Sequence, residues 1–217
     1  MSVRVGTLMT SASRDTTVTQ WIDDTGGGRD RGPRAVVRAW FEVLVRPGNF
    51  FRVAIAPGDQ APGLVFAMLV VLGSETLRLV LVSDPYPVFS GELGLPPVLG
   101  LALVVVLVTP LVLHLVAALQ TVLLIVGVRE RAGISETVQV YGYAVAPCVF
   151  AGVPVPEVRA ACAIYGTVLL VIGIAVVHRT SVLWAAVVSA IPAAIVFGYG
   201  FRGFAAIETV LRNWYII

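Results

Sequence analysis

Long apolar runs constrain this chain most. They cover about 61–83, 97–127, 135–152, 157–177 and 181–201. A bilayer core about 30 Å thick takes roughly 20 apolar residues at 1.5 Å each, so each run is a candidate membrane span. Residues 61–204 carry only 6 Arg and 6 acidic residues. Hydrophobic residues reach 58% and charged residues 13% of the 217. A soluble domain holds about 25% charged residues to cover its surface, so a soluble globular fold is excluded. The expected fold class is all-α: a polytopic membrane protein of five transmembrane helices preceded by an interfacial amphipathic helix.

Turn residues separate the runs: Asp84-Pro85-Tyr86-Pro87, Arg129 to Gly133, Pro154-Val155-Pro156 and His178-Arg179-Thr180. Pro110 should kink the second run and Pro147 should bend the third, because proline lacks the N–H for the carbonyl four residues back. The third run is the least hydrophobic. It starts at Ser135, a candidate N-cap, and carries Glu136, Gln139, Tyr141 and Tyr143. Those polar groups and Gln120 are suited to interhelical hydrogen bonds.

Residues 1–33 have no apolar core and include Gly26-Gly27-Gly28, which reads as a disordered cytoplasmic tail. Residues 34–60 read as an amphipathic interfacial helix and the segment leading into the bilayer, 61–204 as the five-helix domain, and 205–217 as a short C-terminal tail. Within 34–46, Val36, Val37, Trp40, Phe41 and Leu44 share one helical face. Arg34, Arg38, Glu42 and Arg46 follow the other. A basic amphipathic helix with Trp and Phe on its apolar side suits a membrane interface; docking on the protein's own surface is the alternative.

The arginines orient the chain. With the N-terminus inside, inner segments carry 11 and outer segments 2, which places the N-terminus in the cytoplasm and, with five spans, the C-terminus outside a cell membrane. All 15 basic residues are Arg, as in a GC-rich genome, and the net charge of +2 does not suggest nucleic acid.

Residues that bear chemistry are few. Glu75 and Arg78 stand three apart on one helix face within ion-pair reach, and His114 lies mid-span. They support an alternative function as a small transporter or channel. Their structural reading is an ion pair facing the bundle and a hydrogen-bonded histidine. Cys148 and Cys162 lie in apolar runs and read as buried hydrophobes. There is no HExxH and no GxSxG, so no enzyme, cofactor or metal site is expected. For helix packing, the small residues are Ala186, Ala190, Ala194 and Gly198 in the fifth run, Gly166 in the fourth, and Gly142 before Pro147 in the third. Such faces pack internally; self-association through Ala186–Gly198 is the sharper alternative, a homo-oligomer.

Several local patterns stand out: Arg46-Pro47-Gly48-Asn49-Phe50-Phe51 before the first run, Tyr141-Gly142-Tyr143-Ala144-Val145-Ala146-Pro147 in the third, and the following Val153-Pro154-Val155-Pro156. Ile164-Tyr165-Gly166, Gly173 and His178 complete the set, over about 35–200. Together they resemble the Yip domain family, named for interaction with Ypt/Rab GTPases. The resemblance implies a five-helix integral membrane protein with a cytoplasmic N-terminus and brings no catalytic residues. Its eukaryotic members are implicated in vesicle traffic through Rab-type GTPases. The Arg-only composition looks prokaryotic or archaeal, so a Rab partner does not carry over. The expected function is a membrane scaffold or adaptor with no chemistry of its own. Its basic cytoplasmic face, formed by Arg34, Arg38, Arg46, Arg52, Arg129, Arg131, His178 and Arg179, would meet anionic lipid or a protein partner.

Overall fold

A computed structural model describes residues 32–82, 95–128 and 131–216. Residues 1–31 of the expected tail, the turn at 84–87 and Arg129 lie outside the described residues. The described chain is helical, with no strand.

Two short helices come first, α1 (Pro33–Val45) and α2 (Pro47–Ala54). Pro47 separates them: it has no N–H to extend α1, and its fixed φ suits the first turn of α2. Then follows α3 (Ala61–Leu81). The second run is one long rod, with α4 (Leu95–Leu103), a π-helical stretch Val104–Val108, and α5 (Thr109–Gly127). The kink expected at Pro110 takes the form of this π stretch. Proline leaves a carbonyl without its donor, and a widened turn absorbs the ring. The Thr109 hydroxyl donates to the Val104 carbonyl at 2.8 Å across it.

The third run is α6 (Ile134–Ala144) continued by a 3-10 stretch, Ala146–Gly152. The change of helix type falls just before Pro147, where a bend is expected. Ser135 is not the cap: Gly133 holds that position and Ser135 lies in the first turn. The last long rods are α7 (Pro156–Val177) and α8 (Val182–Ala193), the latter capped by the Ser181 hydroxyl accepting from Trp184 N at 3.1 Å. Pro192 lies inside α8, and a second π stretch, Ala194–Gly200, follows it. In place of a plain C-terminal tail the chain forms α9 (Gly203–Asn213).

Among the described residues four helices are long and apolar enough to cross a membrane: Ala61–Leu81, Pro97–Gly127, Pro156–Val177 and Val182–Gly200. The α6 segment is not among them. Its α-helical part is 11 residues long, and it occupies the centre of the bundle. Every residue from Thr137 to Cys148 is buried, and α3, α5 and α7 pack around it. This explains why the third run is the least apolar: its neighbours are protein, so its polar groups find partners. Exposed apolar residues lie on the long rods instead, such as Val98, Leu99, Val106 and Leu107 on the second run and Leu69, Val168 and Val187 on α3, α7 and α8.

Backbones come closest between α3 and the α6 segment. A Cβ on Gly142 would strike the Gly63 carbonyl, one on Gly63 would lie 2.7 Å from Gln139 Cα, and one on Gly152 would strike the Ser74 carbonyl. Only glycine permits these crossings.

Candidate functional site

The basic N-terminal helices are pinned to the bundle at three points. Trp40 Nε1 donates to the Ala146 carbonyl at 2.9 Å, and its ring meets Phe150 edge-on at 6.0 Å. The Tyr165 hydroxyl donates to the Leu44 carbonyl. After α2, Gln139 clamps Ala56 through both amide atoms: Nε2 donates to its carbonyl at 2.7 Å and Oε1 accepts from its N–H at 3.2 Å. Between these points Phe50 and Phe51 are buried, Phe50 against Tyr143 at 4.9 Å and Phe51 against Gly173.

The docked face of α1 differs from the expected apolar stripe. Ala35, Ala39 and Val43 are buried, Val36, Trp40 and Leu44 are half-buried, and Val37 and Phe41 stay 66% and 61% exposed. Small residues face inward because α1 lies close to the 3-10 stretch. Arg34, Arg38, Arg46 and Arg52 are all exposed. Arg38, Phe41, Glu42, Val45, Arg46, Asn49 and Phe50 line a cleft of about 430 Å³ between α1 and α2.

The inner-turn residues do not join this cluster. Arg131 and Arg179 are exposed, Arg179 in the left-handed region at φ 48. His178, expected as a surface contact, is fully buried. It closes α7 and faces the start of α6. The Thr137 hydroxyl donates to the Gly133 carbonyl at 3.0 Å, so His178 Nε2–H donates to Thr137 Oγ1 at 3.2 Å, a tautomer assigned from the bonding pattern. Nδ1 is buried with no partner among the described residues. Burial first, and the Arg131 charge second, push its pKa down from 6.5 to about 4. A buried neutral histidine bracing α6 against α7 cannot touch a headgroup.

The intramembrane polar residues divide into two sets. Glu75 and Arg78 pair at 3.7 Å near the C-terminal end of α3, as their spacing implies. Arg159, in the first turn of α7, lies within electrostatic reach of both and donates to the Ala151 and Val153 carbonyls at 3.0 and 3.3 Å. His114 is elsewhere: its Nδ1 bonds the Pro110 carbonyl one turn back at 2.7 Å. His114 lines neither the pit at Glu75 and Arg78 nor the apolar groove beside Glu75.

The second set is a buried chain. The Tyr141 hydroxyl donates to Gln120 Oε1 at 2.8 Å, and Gln120 Nε2 donates to the Val188 carbonyl at 3.3 Å. Val188 is four residues before Pro192, so its carbonyl is the one the proline leaves without a helical donor. Gln120 of α5 supplies the missing bond. Sequence reading names Gln120 and Tyr141 as bonding residues but not their target. The signal was Pro192 itself.

Among the small residues, Gly166 and Gly198 are packed against the Phe197 and Phe204 rings. Ala186 and Ala194 are half-buried and Ala190 is exposed, along a groove of about 340 Å³ shared with α7 and α9. The buried face of α8 is instead Ala185, Val188, Ser189 and Pro192. Among the described residues no His, Cys, Asp and Glu cluster suited to a metal is found.

A family model described as the Yip1 domain matches residues 41–201. No curated protein and no solved structure matches the chain.

Proposed function

The chain belongs to the Yip1 domain family, and from that premise we propose that it is a multi-pass membrane scaffold whose basic N-terminal helices engage anionic lipid headgroups. The observation that supports this reading is a set of exposed arginines on docked helices. Arg34, Arg38, Arg46 and Arg52 are exposed on two helices that Trp40, Tyr165 and Gln139 tie to the bundle. Each basic residue near an anionic surface is worth about 1 kcal/mol. The exposed Val37 and Phe41 beside them supply apolar area for a membrane or for a protein partner. The scaffold carries no chemistry of its own. Arg131 and Arg179 add separate exposed charges at the inner turns.

Five crossings fit this reading. At 1.5 Å per α-helical and about 2 Å per 3-10 residue, Ile134–Gly152 measures about 30 Å, the thickness of a bilayer core. With the arginine bias, the N-terminus then lies in the cytoplasm of a prokaryotic cell and the C-terminus outside.

The test compares the full-length chain in nanodiscs of phosphatidylcholine with and without phosphatidylglycerol. Hydrogen exchange over 33–54 should slow in the anionic discs, and salt or the triple Arg34→Ala, Arg38→Ala, Arg46→Ala variant should remove the difference. Equal exchange of the wild type in both lipids rejects the reading.

A further inference from the structure

The last helix, α9, carries an apolar stripe that outruns the protein beneath it. Gly203, Ala206, Ile207 and Val210 follow at three- and four-residue steps, and the C-cap residue Trp214 continues the same face. Glu208, Thr209, Arg212 and Asn213 take the opposite face, where Glu208 and Arg212 pair at 2.8 Å and are both more than half exposed. The stripe starts against α7: a Cβ on Gly203 would lie 2.6 Å from Ala163 Cβ, and Ala206 is buried. Further along it, Ile207 and Val210 are half-buried and Trp214 is 67% exposed. So α9 departs from α7 while its apolar stripe goes on.

The end of α9 is held in a defined shape. The Ile216 N–H donates to the Leu211 carbonyl at 2.9 Å and the Tyr215 N–H to the Arg212 carbonyl at 3.0 Å, the paired bonds of a Schellman cap. Tyr215 occupies the left-handed position of that cap, φ 55, which glycine usually takes because a Cβ is strained there. Tyr215 is also 96% exposed, and Ile216 beside it is exposed as well. A strained backbone that displays large side chains points to a use for those side chains.

We propose that the C-terminal half of α9 is an interfacial membrane anchor: Trp214, Tyr215 and Ile216 insert at the boundary of headgroups and acyl chains, while Glu208 and Arg212 stay in the aqueous layer. Lipid is the occupant of the uncovered stripe because the exposed apolar surface of the rods is continuous with it. Ile164 on α7, Ile191 on α8 and Tyr199 on the following π stretch are all exposed, and the Tyr199 ring meets Phe204 of α9 edge-on at 5.1 Å. Tryptophan and tyrosine favour this boundary, since each joins an apolar ring to one polar group. The ion pair limits the depth. Gly203 lies beside Ala163, about two turns inside α7, and a helix running deeper from there would carry Glu208 and Arg212 into hydrocarbon. The helix therefore lies along the interface, polar face to water. The anchor involves no residue of the N-terminal basic helices.

The experiment places the full-length chain in vesicles of phosphatidylcholine brominated either high on the acyl chain or near its end. Trp214 is read as the difference in fluorescence between the wild type and Trp214→Phe, which removes one of the 4 tryptophans. That difference should be quenched about threefold more by the shallow bromines than by the deep ones, and little by iodide on both sides of the membrane. In a cysteine-free variant, a nitroxide on Ile216→Cys should relax faster with dissolved oxygen than with a water-soluble nickel complex. One on Asn213→Cys should show the reverse. Iodide quenching without bromolipid quenching would put Trp214 in water and overturn the proposal. Quenching by neither would mean that another segment or a second copy covers it, which overturns the proposal equally, as would the same preference at both nitroxides. Should the cysteine-free variant fail to fold, the Trp214→Phe comparison still decides it.

Discussion

Gly142 and His178 illustrate how much rests on single residues. A Cβ at 142 would meet the Gly63 carbonyl, which belongs to a backbone and cannot rotate away. Gly142→Val should therefore cost about 1–3 kcal/mol, read as a lower denaturation midpoint in detergent; an unchanged midpoint means that α3 and α6 do not cross this closely. His178 has a pH signature. Its folded-state pKa is near 4 against 6.5 when unfolded, so between these values the unfolded chain binds the extra proton. Stability is unaffected above pH 6.5, falls as pH drops from 6.5 to 4, and levels off below, a loss of up to about 3 kcal/mol. His178→Gln keeps a donor for Thr137 and should flatten the unfolding midpoint over that window. A wild type with no slope there would place the imidazole in water.

At the scale of elements, prolines and their compensating bonds set the shapes of the rods. Pro192 removes one bond within α8, and Gln120 restores it from α5 while accepting from Tyr141. Gln120→Leu should cost about 1–3 kcal/mol, because it orphans the Val188 carbonyl and the Tyr141 hydroxyl at once. Pro192→Ala gives Val188 a local donor. The loss on Gln120→Leu should then shrink by about 1 kcal/mol in the Pro192→Ala background, measured as a double-mutant cycle. Strict additivity would mean that Gln120 does not answer the proline. Pro110 and Pro147 were legible as points of distortion from their places in apolar runs. The π and 3-10 geometries were not, since the turn type depends on what packs beside the freed carbonyl. The docked face of α1 was misread for a related reason. Helical periodicity finds the most apolar stripe, whereas a close neighbour selects the smallest side chains, here Ala35 and Ala39.

For the whole molecule, the number of crossings decides on which sides the chain ends. If α6 and its 3-10 continuation cross, single cysteines placed at residues 2 and 216 of a cysteine-free variant should react with a membrane-impermeant maleimide from opposite sides of sealed vesicles. Reaction from the same side would leave four crossings.

The sequence by itself determined the solvent, the four long rods and the family, because a run of 20 apolar residues has few other stable environments and the Arg-Pro-Gly-Asn-Phe-Phe and Tyr-Gly-Tyr patterns are local. Tertiary structure decided where each polar residue finds its partner. His178, Gln120 and Gln139 look alike in the sequence as lone polar groups, yet each is consumed by a bond to another element. Arg78, Arg159 and Arg202, scattered over 125 positions of chain, converge at one end of the bundle. Burial and convergence are relations between distant segments, and packing alone fixes them.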